Sequence, residues 1–244
     1  MARLARLSVP GQLHLMIQRV QQGQAVFAEA ADRRVYLDCL ADAAARLGVA
    51  IHAYGMATAE VRLLATPPDA QALGRMVQAV GRRFVAGFNR RHGRRGPLWD
   101  GRFRATIVEP VEYFLRCLRF VEGGADGRPR DLREVGGADD VPWSSVEHHA
   151  GLRSDPFVTE HAQYWSLGNT PFEREAAYRI AMQQPLAPAE LEGIAIASLH
   201  GWVLGSRDFE RPLAAQIGRR LRPLPPGRPA LPKAEEAINQ SDPK

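Results

Sequence analysis

Cysteine is scarce. The chain has 2, Cys39 and Cys117, both inside apolar helical patterns, which excludes a disulfide scaffold and fits free buried thiols in a reducing compartment. No run approaches the roughly 18 consecutive apolar residues a membrane span needs. The stretch MARLARLSVPGQLHLM has basic residues but no sustained apolar segment, so neither a span nor a cleaved secretory leader is expected, and the expected location is cytoplasmic. No tandem repeat is visible, which excludes a solenoid or propeller. Lysine is missing from the first 104 residues. A GC-rich genome favours Arg over Lys, so the residue choice says little; the charge it carries says more.

That charge is unevenly placed. Through Arg104 there are sixteen Arg against seven Asp and Glu, a net of +9, and the remainder carries −4, which returns the overall +5. An arginine-rich first half facing a mildly acidic second half points to a polyanionic partner for the first. With 244 residues, 45% of them hydrophobic and 24% charged, the chain has enough apolar material for one full core plus an extension.

Alternation at Leu13, Leu15 and Ile17 predicts a strand over 11–20. Helical spacing of Val35, Tyr36, Leu40, Ala43 and Leu47 predicts a helix over 31–47. IHAYGMA (51–57) and EVRLLAT (60–66) predict two strands joined tightly. A second helix follows, N-capped by Asp69, with Leu73, Met76, Val77, Val80, Phe84 and Phe88 as its apolar stripe. FRATIVE (103–109) predicts a fourth strand and VEYFLRCLRFVE (111–122) a third helix. The order β-α-β-β-α-β is that of the α+β ferredoxin-like split βαβ, a four-stranded antiparallel sheet with helices on one face. Its other face is expected to be free for a ligand, with the third helix lying along it.

Beyond residue 122 the pattern loosens. Residues 123–140 are a Gly/Asp/Arg loop, VPWSSVEHHAG (141–151) a short helix anchored by Trp143, and 172–184, 188–199 and 206–221 are helical. The tail from Leu221 is Pro-rich and polar, so disorder is expected. The expected organisation is a ferredoxin-fold DNA-binding domain over 1–125, a loop and helical extension over 126–221, and a basic tail over 222–244.

RRFVAGFNRRHGRRGPLWDGRFR (82–104) is the densest signal. Arg82, Arg83, Arg90, Arg91, Arg94, Arg95, Arg102 and Arg104 stand against Asp100 alone. Guanidinium forks match phosphate geometry, and each phosphate contact releases condensed counterions. Trp99 beside them offers a stacking platform for bases. The plain reading is a solvated helix end followed by a basic loop; arginine density favours nucleic acid.

AYGMATAEVRLLAT, FNRRHGRRGPLWDGRFRATIV, EYFLRCLRFVEGG and VPWSS resemble the corresponding blocks of the REP-associated tyrosine transposases, of the single-tyrosine HUH superfamily. GWVLGSRDFERPLAAQIGRRLRP (201–223) is similar to the C-terminal extension of longer members. The resemblance implies the fold already read from periodicity. It also implies two histidines, one residue apart on a strand, that hold Mg²⁺ or Mn²⁺, a helix tyrosine that attacks phosphorus in single-stranded DNA, and an asparagine one turn later. Those positions fall here on Glu60, Arg62, Phe120 and Gly124. Phenylalanine has no nucleophilic oxygen, and arginine places a cation where the metal would sit. No catalytic residue and no metal site are therefore expected.

No other residue stands in well. Tyr113 lies seven residues before Phe120, about 10 Å along the helix axis. His14, His52 and His92 are scattered without ligand spacing, and the adjacent His148 and His149 diverge around a turn. Trp143-Ser144-Ser145 lacks the glycines of a hydrolase elbow. Glu60 and Arg62 then have two readings: a fixed positive charge at Arg62 for a DNA phosphate, or two solvated residues on an unused surface. The expected protein is a transposase-like binder of hairpin or single-stranded DNA without cleavage activity. The rivals are an enzyme that nicks or joins DNA with an unrecognised nucleophile, and a protein-interaction module or decaying remnant. The oligomeric state is open.

Overall fold

The computed structural model describes residues 7–21, 25–123, 143–218 and 220–223. Most of the predicted loop over 123–140, with Gly124, and the tail beyond 223 lie outside the described residues. Four strands and the helices between them fall where the periodicities put them: β1 (Leu13–Arg19), α1 (Ala30–Leu47), β2 (Ala50–Met56), β3 (Glu60–Thr66), α2 (Ala72–Arg91), β4 (Arg104–Val108) and α3 (Pro110–Glu122). The sheet is antiparallel, with strand order β2-β3-β1-β4. The fold class is α+β with the ferredoxin-like split βαβ order.

Three helix boundaries refine the expectations. α1 starts where the Asp32 carboxylate accepts the Glu29 N–H at 3.1 Å, and it stops at Gly48, whose left-handed φ of 63° lets its N–H donate to the Ala44 and Ala45 carbonyls. α2 begins at Ala72, not Asp69; the Asp69 carboxylate instead accepts the Gln71 N–H at 2.8 Å, organising the turn before the helix. α3 has Pro110 in its first turn, where the missing N–H costs nothing.

Each face of the sheet has its own core. On one, Tyr36, Leu40, Leu73, Met76 and Phe84 from α1 and α2 cover Met16, Val61 and Leu63. On the other, Leu15, Ile17 and Leu64 meet Phe114, Cys117, Leu118 and Val121 of α3, together with Val146, Tyr164, Tyr178 and Ile194. The second face is therefore not open to a ligand: α3 and the C-terminal extension bury it. Gly55 in β2 makes the approach of α3 possible, since a Cβ there would sit 2.0 Å from the Val121 carbonyl oxygen.

The extension comprises α4 (Val146–His149), α5 (Ala162–Trp165), α6 (Pro171–Gln183), α7 (Pro188–His200) and α8 (Arg207–Gln216); α5 had no counterpart in the sequence pattern, being a single turn. It also covers both sheet edges. Met56 N–H bonds the Trp143 carbonyl and Thr159 N–H the Ile51 carbonyl beside β2, while Leu204 exchanges backbone bonds with Ile107 and Glu109 beside β4. Edge strands with unpaired backbone groups invite intermolecular pairing, and these contacts remove that hazard. No described helix is long and apolar enough to cross a membrane.

Candidate nucleic-acid interface

α2 carries arginine on two faces. Arg83 and Arg91 are eight residues apart, so they share a side, and that side meets α1. Arg83 pairs with Asp42, and Arg91 lies 2.7 Å from Asp32. Asp32 is fully buried and also receives the N–H groups of Ala28 and Glu29 and a bond from His92. Burial opposes its charge, but those hydrogen bonds win and hold its carboxyl below the usual carboxylate range. Glu29, Asp32 and His92 are the one group of three ligand-type side chains that converges among the described residues. Arg91 already supplies the cation there.

The opposite side of α2 walls a groove of about 1060 Å³. Arg75, Arg82 and Val85 form one bank, and Pro97, Trp99 and Arg102, from the segment before β4, form the other. Its apolar floor includes Leu73, Leu98 and Phe103. Arg75 pairs with Asp69. Arg82, Arg90, Arg95 and Arg102 are exposed and make no ion pair among the described residues. Arg90 lies seven residues beyond Arg83, about 20° from it around the helix, and so is nearer the side that meets α1. Arg94 leans over the Phe88 ring, 5.5 Å from its centroid.

The ten predicted contact residues thus do not form one array. Arg82, Trp99 and Arg102 line the groove, while Arg90 and Arg95 are exposed outside its lining. Arg83 and Arg91 are turned to α1. Arg104 faces the extension and donates to the Leu199 carbonyl near the end of α7, where a helix terminus favours a cation. Trp99 is only half-exposed: its ring packs edge-on against Tyr36 at 6.2 Å, so it is as much wall as platform. Sequence spacing missed Arg75, although it stands seven residues before Arg82 and so shares its side of α2.

Arg62 corrects both readings of the β3 pair. It is 6% exposed and Glu60 9%, so neither is solvated, and the pocket of about 20 Å³ that Arg62 borders is too small for a DNA strand. Glu60, Arg62 and Leu64 point to the α3 face. Glu60 accepts from Arg62 through one carboxylate oxygen and from Arg19, at 2.9 Å, through the other. The Arg62 guanidinium lies 4.1 Å from the centroid of the Phe120 ring and donates to the Phe120 carbonyl at 2.6 Å. These residues do not fit a divalent ion. Glu60 is the only ligand-type side chain of the set, and two guanidiniums hold both its oxygens.

Two residues beyond Phe120, Glu122 anchors a second internal network. Its buried carboxylate accepts from Ser145, from Tyr178 and from His149 Nδ1 at 2.7 Å. Ser145 is the N-cap residue of α4, but its hydroxyl bonds Glu122 and the Tyr54 backbone and makes no side-chain cap. The Ser donates to the carboxylate and not to His149, so this is not a nucleophile poised by a base. It ties α3 to the extension.

Fold and site together define a ferredoxin-like α+β protein with a basic groove outside its sheet and an ion-paired interior beneath α3. No protein-family model matches the chain, and no curated protein does. Several solved structures are similar to it, two of them transposases. One is a REP-associated tyrosine transposase bound to a REP hairpin, 11% identical, with a TM-score of 0.48 over 67% of this chain and 96% of that one. The other is a putative transposase from Deinococcus radiodurans, 22% identical, with a TM-score of 0.33 over 48% of this chain and 93% of that one.

Proposed function

We propose that this chain is a transposase-like, cytoplasmic DNA-binding protein that holds hairpin or single-stranded DNA along the α2 groove and does not cleave it. The observation that carries the reading is the split of α2: Arg83 and Arg91 are neutralised by α1, while Arg82 and Arg102 both line a groove whose lining holds no acid. Phosphates fit the guanidinium banks, and unpaired bases fit the apolar floor. Strand cleavage needs a nucleophile and a means of neutralising the phosphate. Phe120 offers no oxygen, and Arg62 is locked between Glu60 and the Phe120 ring. The resemblance of the sequence blocks to the REP-associated tyrosine transposases supports the DNA class.

The test is fluorescence anisotropy of hairpin, single-stranded and duplex DNA at two salt concentrations, with a cleavage assay alongside. Each phosphate contact contributes about 0.9 to the slope of log affinity against log salt on duplex DNA and about 0.7 on single strands. Arg82→Ala with Arg102→Ala should weaken binding and flatten that slope. Salt-independent binding, or an unchanged double variant, rejects the groove. A covalent protein–DNA adduct on a denaturing gel rejects the loss of cleavage.

A further inference from the structure

Four of the 7 histidines, His52, His148, His149 and His161, gather on one seam between the β2 edge and the extension. His52 sits in the register irregularity of β2, with Nδ1 2.7 Å from the Thr159 carbonyl and Nε2 2.9 Å from the Thr66 hydroxyl. The His161 ring lies between His52, at 4.9 Å, and Phe114 of α3, at 4.7 Å. Two of these rings act as acceptors. Nδ1 of His161 takes the Gln163 N–H at 3.1 Å and so caps α5, and Nδ1 of His148 takes the Asp155 N–H at 3.2 Å. An imidazole accepts at a nitrogen only while that nitrogen carries no proton. Protonating either ring turns its acceptor into a donor aimed at another N–H.

We infer that this seam is an acid-opened latch: protonation of His148 and His161 releases the 143–165 segment from the β2 edge and from α3 while the sheet with α1 and α2 stays folded. The groups facing the latch are His149, Asp155, Glu160 and Glu122 around His148, and His52 with the uncharged Phe114 around His161. Around His149 stand Glu122, Glu160, Tyr164 and Tyr178; Arg153 bridges Glu147 and Asp155 beside Tyr54. Burial lowers the basicity of His52, His148 and His161, so their neutral forms are the folded ones. His149 opposes this. Burial disfavours its charge too, but Glu122 beside it raises its basicity, and it holds Glu122 more firmly in acid. The two acceptor rings therefore decide the direction.

Hydrogen exchange of the full chain at about pH 7.5 and pH 5, corrected for intrinsic rates, tests this. Protection of 143–165 and of α3 should fall at least tenfold more than that of α1 and α2, tenfold being about one pKa unit of linkage. An Asn side-chain oxygen accepts an N–H at either pH. His148→Asn with His161→Asn should therefore keep its neutral-pH protection in acid; should that pair fail to fold, His161→Asn alone should move the opening to lower pH. The latch is overturned by seam protection that persists in acid, by all elements losing protection together, or by folded variants as acid-labile as the parent.

Discussion

The guanidinium of Arg62 lies over the ring of Phe120, 4.1 Å from its centroid, and donates back to that residue's own carbonyl. Cation–π attraction and a charge-assisted hydrogen bond act on one pair of residues, and Glu60 balances the charge. Removing one partner of a buried pair leaves the other charge uncompensated. Arg62→Ala should therefore destabilise the fold by about 3 kcal/mol, the low end of the range for such pairs, because Arg19 still holds Glu60. Urea denaturation measures this. The folded variant should bind DNA as tightly as the parent.

Phe120→Tyr supplies the missing oxygen without a means of activating it. No covalent adduct with single-stranded DNA should form, with or without Mn²⁺, because the ring stays stacked under Arg62 and no ligand set is created. A denaturing gel with labelled oligonucleotide reads the outcome.

Gly55→Ala should be among the most damaging single changes. Its Cβ would meet the Val121 carbonyl at 2.0 Å, and neither backbone can yield without separating α3 from β2. A loss of about 3 kcal/mol or more, or failure to fold, is expected. Gly74→Ala, half-buried on the groove side of α2 with open space around its Cβ, should be neutral or stabilising by up to about 1 kcal/mol, and the two melting curves make the contrast.

Arg82 and Arg83 are neighbours with different work. Arg83→Ala removes a solvent-exposed ion pair to Asp42, should lower the melting temperature slightly at most, and should leave DNA affinity nearly unchanged. Arg82→Ala should do the reverse, leaving the melting temperature alone and reducing affinity and salt slope. Equal effects on binding would mean that α2 does not discriminate its two faces.

Stability should fall as pH drops from about 6.5 toward 4. Burial lowers His14 and His52 to about 4, below the 6.5 of the exposed imidazole. The unfolded chain then binds more protons in that window, so the folded state loses stability as pH decreases through it and regains it above. His14 accepts the Val9 N–H through Nε2 and contacts the Gln12 carbonyl through Nδ1. His14→Gln should flatten the slope of melting temperature against pH, which calorimetry across that range measures.

Much of the fold was legible in the sequence because it depends on local periodicity. Alternation along β1 and β3 and the stripe from Leu73 to Phe88 each bury one face, and chain order then leaves few topologies. The single turn of α5 was not legible, since four residues have no period. Nor was the burial of the second sheet face: apolar residues on α3, α6 and α7 announce that they will be covered, but not by what.

The candidate site divides in the same way. The sequence by itself determined that the first half is basic, that arginine clusters around residues 82–104, and that Glu60 and Arg62 share a face, because charge and strand alternation are properties of the chain. Tertiary structure alone decided that Asp32 and Asp42 neutralise one side of α2, and that Arg62 is sealed beneath Phe120. Those outcomes depend on which carboxylates and rings the packing brings within a few ångströms, and separation along the chain does not encode that distance.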